Sequence, residues 1–132
     1  MKKLSQVLIV DDDSTTNLIN EKLVRDAGLT SKIKVAVNGG HAMLYLQQLS
    51  ENQNEEMEVL ILLDLDMPIM DGYEFLKYIQ ASKEFRSKNL KVAVMAMASK
   101  EEEIVRAKSL GAHGVISKPL SLNKLNKVVQ KL

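Results

Sequence analysis

The segment Val59-Leu60-Ile61-Leu62-Leu63-Asp64-Leu65-Asp66-Met67-Pro68 decides the fold. Five apolar residues run without polar alternation, so the strand expected there is covered on both faces, as in a parallel sheet wrapped by helices. The run stops at a carboxylate. Working outward, four comparable runs appear: Val7 to Val10, Ile33 to Val37, Val92 to Met95, and Val115-Ile116 with their neighbours. Short apolar runs alternating with segments of helical period specify βα units. The helical stripes are Ile19, Leu23 and Ala27; Ala42, Leu46 and Leu49; Phe75 and Ile79; Ile104, Ala107 and Gly111; and Leu122, Leu125, Val129 and Leu132. Gly28 and Gly111 are expected to close helices, Gly39-Gly40 to precede one, Gly72 to open one, and Ser121 to cap the last. The fold class read from this pattern is α/β, a doubly wound (βα)5 five-stranded parallel sheet.

A chain of 132 residues with 45% hydrophobic and 27% charged residues is expected to form one domain, residues 1–132. Eighteen basic against 17 acidic residues give a formal charge of +1, which disfavours a nucleic-acid partner. No Cys is present, which excludes disulfides, thiolate chemistry and Cys-ligated zinc. No apolar run is long enough for a membrane span, and a cytoplasmic location is expected. The acidic, polar stretch Ser50 to Glu58 reads as a solvated loop.

In such a sheet ligands bind outside the carboxyl ends of the strands. Strand one ends in Asp11-Asp12-Asp13, strand three in Asp64-Leu65-Asp66, and strand five in Ser117-Lys118-Pro119. The fold brings these ends to one edge. Two carboxylates about 4 Å apart repel by roughly 4 kcal/mol at an effective dielectric near 20, so the cluster calls for protonation or a cation. Oxygen ligands without His or Cys favour Mg2+.

The runs Val-Leu-Ile-Val-Asp-Asp-Asp-Ser, Leu-Asp-Leu-Asp-Met-Pro-Ile-Met-Asp-Gly-Tyr-Glu-Phe-Leu and Gly-Ala-His-Gly-Val-Ile-Ser-Lys-Pro-Leu resemble, in order and spacing, the receiver domain of two-component response regulators of the single-domain type. The resemblance spans essentially the entire chain and implies a flavodoxin-like phosphorylatable switch rather than an enzyme. A histidine kinase or phosphotransfer protein then supplies a phosphoryl group, and a downstream protein reads the result. By motif match Asp64 is the phosphoacceptor, Asp12 the direct Mg2+ ligand, Asp11 its outer helper, and Asp66 the donor of a backbone carbonyl to the metal. Lys118 pairs with the phosphoryl oxygens, and Pro119 matches a proline that follows a cis peptide.

Two positions depart from the family pattern. Ala96 stands where a Ser or Thr hydroxyl is expected, and Val115 where an aromatic residue is common. Ser99 is assigned instead to capping the next helix with Glu102. Phosphorylation is therefore expected to survive and the usual rearrangement to be weakened or replaced. A binding module that has lost phosphorylation is the alternative. A haloacid-dehalogenase-type phosphatase is disfavoured, since Asp11-Asp12 precedes the Asp64 strand and position 68 is Pro. No output segment follows Leu132, so signalling by protein contact is expected. Simpler readings accompany the other polar residues: Ser14 or Thr15 as a helix cap, Asp71-Gly72 as a turn, His41 and His113 without chemistry, Glu101 to Glu103 as helix-start charge, and Lys124, Lys127 and Lys131 as a solvated face. Met67, Met70, Met95 and Met97 read as core filler.

Overall fold

Five parallel strands lie in the order β2-β1-β3-β4-β5, which places the chain's first strand between its second and third. The computed structural model describes residues 4–51, 57–67, 72–83, 85 and 89–132. The strands are β1 (Gln6–Val10), β2 (Ile33–Ala36), β3 (Glu58–Asp64), β4 (Asn89–Ala96) and β5 (Gly114–Ser117). Five helices stand among the described residues: α1 (Ser14–Asp26), α2 (Gly39–Glu51), α3 (Gly72–Ala81), α4 (Glu101–Ser109) and α5 (Leu122–Lys131). This is the doubly wound sheet that the apolar runs specify, and the flavodoxin-like arrangement that the resemblance implies. The expectations for Pro68, Met70 and Asp71, and for most of the Ser50 to Glu58 loop, lie outside the described residues; Glu58 itself opens β3.

The pleat sorts the core into two layers. Val7, Ile9, Leu60, Leu62, Ala93, Met95 and Ile116 pack with α1 and α5 through Val24, Leu125 and Val129. Leu8, Val10, Ile61, Leu63, Val92, Val94 and Ala96 pack with α2, α3 and α4 through Leu46, Phe75, Ile79 and Ala107. Burial on both faces holds for β1 and for β3 from Val59 onward, whereas the edge strands β2 and β5 are only partly covered.

Several helix expectations need correction. The inner face of α1 is Asn17, Asn20 and Val24, and Ile19 is 57% exposed. A polar inner face defeats any search for apolar spacing. Leu122 also faces solvent, as does Met97, leaving Leu125 and Val129 as the buried stripe of α5. Gly39 and Gly40 form the first turn of α2, and Asn38 precedes them, its Oδ1 accepting the His41 N–H at 2.8 Å. Ser99 does not cap α4: Lys100 holds that position without a side-chain bond. Asp13, not Ser14 or Thr15, holds the N-cap position of α1 without a side-chain capping bond, and its carboxylate accepts the Thr16 hydroxyl. Ser121 caps α5 as expected, accepting the Lys124 N–H at 3.2 Å. Gly28 and Gly111, at φ 67° and 100°, adopt the left-handed conformation of helix ends.

His113 has a structural task. Its N–H donates to the Val92 carbonyl at 2.8 Å, and its Nδ1 accepts the Val92 N–H at 3.0 Å, extending the β4–β5 ladder by one side-chain rung. Desolvation and then the Lys91 cation hold its pKa below the ordinary 6.5. A depressed histidine pKa means that the neutral ring stabilises the fold above pH 6.5 and that this contribution is lost as pH falls through the folded-state value. His113→Asn keeps an acceptor that does not titrate. On lowering the pH from about 7.5 to 5.5, the wild type should lose more melting temperature than the variant. Parallel melting curves for the two proteins would show that this rung is not pH-sensitive.

Candidate functional site at the carboxyl edge of the sheet

Parallel register carries the acids together. Val10 pairs with Leu63, so the next residues, Asp11 and Asp64, leave adjacent strands side by side. Both continue the side-chain parity of the α1/α5 layer and both are buried, at 3% and 4% exposure. Asp12 is exposed beside them, and one oxygen from each of Asp11, Asp12 and Asp64 falls within 4.8 Å of the others. Lys118, arriving from the end of β5, donates from Nζ to Asp64 Oδ1 at 2.6 Å. The Lys118-Pro119 peptide is cis, as the motif implies.

The approach of α3 to this edge depends on Gly72. Its N–H donates to the Leu65 carbonyl at 2.9 Å, and a Cβ at this position would stand 2.7 Å from Leu65 Cα and 2.9 Å from the Asp64 carbonyl. Any side chain there would push against the backbone that carries Asp64.

The charges respond to this crowding. Burial, and beyond it the Asp64 and Asp12 charges, pushes Asp11 up to about 6, against the opposing Asp13 N–H and Lys118. Desolvation disfavours the Lys118 cation, yet its hydrogen bond and charge pairing with Asp64, helped by Asp11 and Asp66, raise its pKa. The Thr16 hydroxyl holds Asp13 below the usual carboxylate value. One ammonium thus faces three clustered carboxylates. A cleft of about 290 Å3 opens over them, with Ile19, Met95 and Leu120 as its apolar wall.

Of the other sequence-selected positions, Asp66 is exposed and donates its N–H to Asp64 Oδ1 at 3.3 Å. Ala96 is buried, and its carbonyl accepts the Lys118 N–H at 2.9 Å. Val115 packs partly buried against the α2/α3/α4 layer. His41 stays outside the site, its ring 5.0 Å from that of Tyr45. Lys124 is not merely solvated: its Nζ donates to the Ser117 and Pro119 carbonyls, at 3.0 Å each, and clamps the turn that presents Lys118. A lysine spaced with two others on an amphipathic helix carries no sequence signal for that task.

An acid-rich strand edge with an opposed lysine, on a β2-β1-β3-β4-β5 sheet, defines a receiver-type signalling module. The chain matches the response regulator receiver domain over residues 7–130, and it belongs to that family. It is 30% identical to the chemotaxis protein CheY-3 of Vibrio cholerae, over all of this chain and 97% of the relative. It is 31% identical to the chemotaxis protein CheY of Pseudomonas aeruginosa, over 96% and 94%. Among solved structures, a two-component response regulator from Cytophaga hutchinsonii superposes with a TM-score of 0.84 at 23% identity, covering 98% of this chain and 97% of that one. Receiver domains in general are phosphorylated on an aspartate, bind Mg2+ at an acidic pocket, and interact with histidine kinases or phosphotransfer proteins and with downstream targets. No helix among the described residues is long and apolar enough to cross a membrane.

The raised Asp11 pKa has a measurable consequence. Ionising Asp11 destabilises the folded state above pH 6, and this cost vanishes below the unfolded-state value near 4. Without Mg2+ at neutral pH, Asp11→Asn should raise the melting temperature, and the gap from wild type should close on acidification toward pH 4. Added Mg2+ should raise the melting temperature of the wild type more than that of the variant. A variant less stable than wild type at neutral pH without Mg2+ would contradict the charge-crowding account.

Proposed function

We propose that this receiver domain accepts a phosphoryl group on Asp64 from a phosphohistidine of a histidine kinase or phosphotransfer protein, and that it signals by protein contact. The observation that carries the reading is the Asp64 carboxylate: buried, with Oδ1 taken by Lys118 and by the Asp66 N–H, and with Oδ2 unclaimed among the described residues. A carboxylate oxygen attacks phosphorus, the donor's P–N bond breaks, and the imidazole leaves with the bond's electron pair and takes a proton. Such transfer asks little covalent work of the protein, so positioning and charge neutralisation carry the catalysis.

Three carboxylate oxygens within 4.8 Å and no nitrogen or sulfur donor suit a hard divalent cation. Asp11, Asp12 and Asp64, with the Asp66 carbonyl, would hold Mg2+, which supplies positive charge to the phosphoryl oxygens when bound. Lys118 supplies the second positive charge from the opposite strand. Transfer should leave the lysine close to the new phosphoryl oxygens, since its cation is already paired with the acceptor.

Incubation with Mg2+ and a small phosphodonor should add the mass of one phosphoryl group to the wild type and none to Asp64→Asn. Equal behaviour of the two proteins would exclude Asp64 as acceptor. With a methyl group at position 96 and no aromatic ring at 115, the change transmitted to the α4 side should be small. Introducing a hydroxyl by Ala96→Thr should enlarge the phosphorylation-dependent shifts of α4 amide resonances, through one added charge-assisted hydrogen bond. Shifts no larger than those of the wild type would remove Ala96 from the account.

A further inference from the structure

The buried face of α1 holds an amide that phosphoryl transfer to Asp64 does not itself use. Asn17 is 5% exposed, and its two ends differ: Nδ2 donates to the Asp11 carbonyl at 2.8 Å, whereas Oδ1 is buried with no partner among the described residues. An apolar side chain of the same size would avoid desolvating that oxygen, so the end of Asn17 that matters is the donor. Its acceptor is the first carbonyl beyond β1.

The rest of that turn is tied down as well. Asp11 N–H donates to the Ala36 carbonyl on β2 at 3.1 Å, and Asp11 Oδ1 accepts the Asp13 N–H at 3.0 Å. The bond from Asn17 completes the set by fixing the Asp11-Asp12 peptide plane, and that plane sets the directions in which both carboxylates leave the backbone. We propose that Asn17 is a positioning residue for the cation: it holds the Asp11 carbonyl and thereby the spacing of the acid oxygens that take Mg2+. The inference rests on the reading that Asp11, Asp12 and Asp64 bind Mg2+. Groups that orient metal ligands typically change metal affinity by about 10–100-fold when removed.

Calorimetric Mg2+ titrations of wild type and Asn17→Leu, with melting temperatures recorded in the absence of Mg2+, test it. The leucine variant should bind Mg2+ at least about tenfold more weakly. An unchanged Mg2+ affinity, whatever the melting temperature, would overturn the proposal and leave Asn17 as packing. The wild-type arm separates the two levels of inference, because a wild type that binds no Mg2+ overturns the cation reading itself. Should Asn17→Leu not fold, 15N-labelled wild type carries the test: the Asn17 side-chain amide resonances should move along the Mg2+ titration with the affinity measured by calorimetry, and resonances that stay fixed would overturn the proposal.

Discussion

Three carboxylates against one ammonium is the constraint on which the functional edge depends. The acids meet because β1 and β3 run parallel in a register that leaves Asp11 beside Asp64, both desolvated. The strands' pairing fixes the backbone separation from which both carboxylates start. Lys118 neutralises one charge at 2.6 Å, and Asp11 responds to burial by resisting ionisation. The remaining negative charge suits a divalent cation by charge and by donor type.

The core around the site is what makes such crowding tolerable. Fully burying one Leu, Ile or Val is worth about 1.5–3 kcal/mol, and β1 and β3 alone bury nine of them, from Val7-Leu8-Ile9-Val10 and Val59 to Leu63, with 3% exposure or less. Repulsion of a few kcal/mol at one edge is small beside that sum. The positioning contacts are backbone or buried contacts for the same reason: Gly72 against Leu65, Lys124 across the Ser117–Pro119 turn, and Asn17 on the Asp11 carbonyl all act on atoms whose neighbours cannot move far.

The elements legible in the sequence are those whose signal is apolar periodicity or a strand end. Continuous runs placed all five strands, and the strand-end rule placed Asp11, Asp12, Asp64 and Lys118 at one edge. Legibility fails where a polar residue does the packing. Asn17 and Asn20 take the inner face of α1, so the eye follows Ile19 instead, which faces solvent. His113 and Lys124 are opaque for a related reason: their partners are backbone groups of other segments, and no side-chain spacing encodes such a bond. Ser99 fits a capping box by spacing, but α4 starts at Glu101 and leaves it outside.

The sheet itself separates the charges from Ala96 and Val115. Asp11, Asp64 and Met95 belong to the α1/α5 side, whereas Ala96 and Val115 lie on the side of α2, α3 and α4, where Ile104, Ala107, Leu110 and Ala112 pack. What joins the two sides at that point is the backbone bond from the Lys118 N–H to the Ala96 carbonyl, and it joins the very residue whose side chain is paired with Asp64. A displacement of the Lys118 backbone would therefore reach the end of β4 through main chain. Main-chain coupling of this kind moves a strand end by small amounts and lacks the two discrete positions that a rotating hydroxyl or aromatic ring provides.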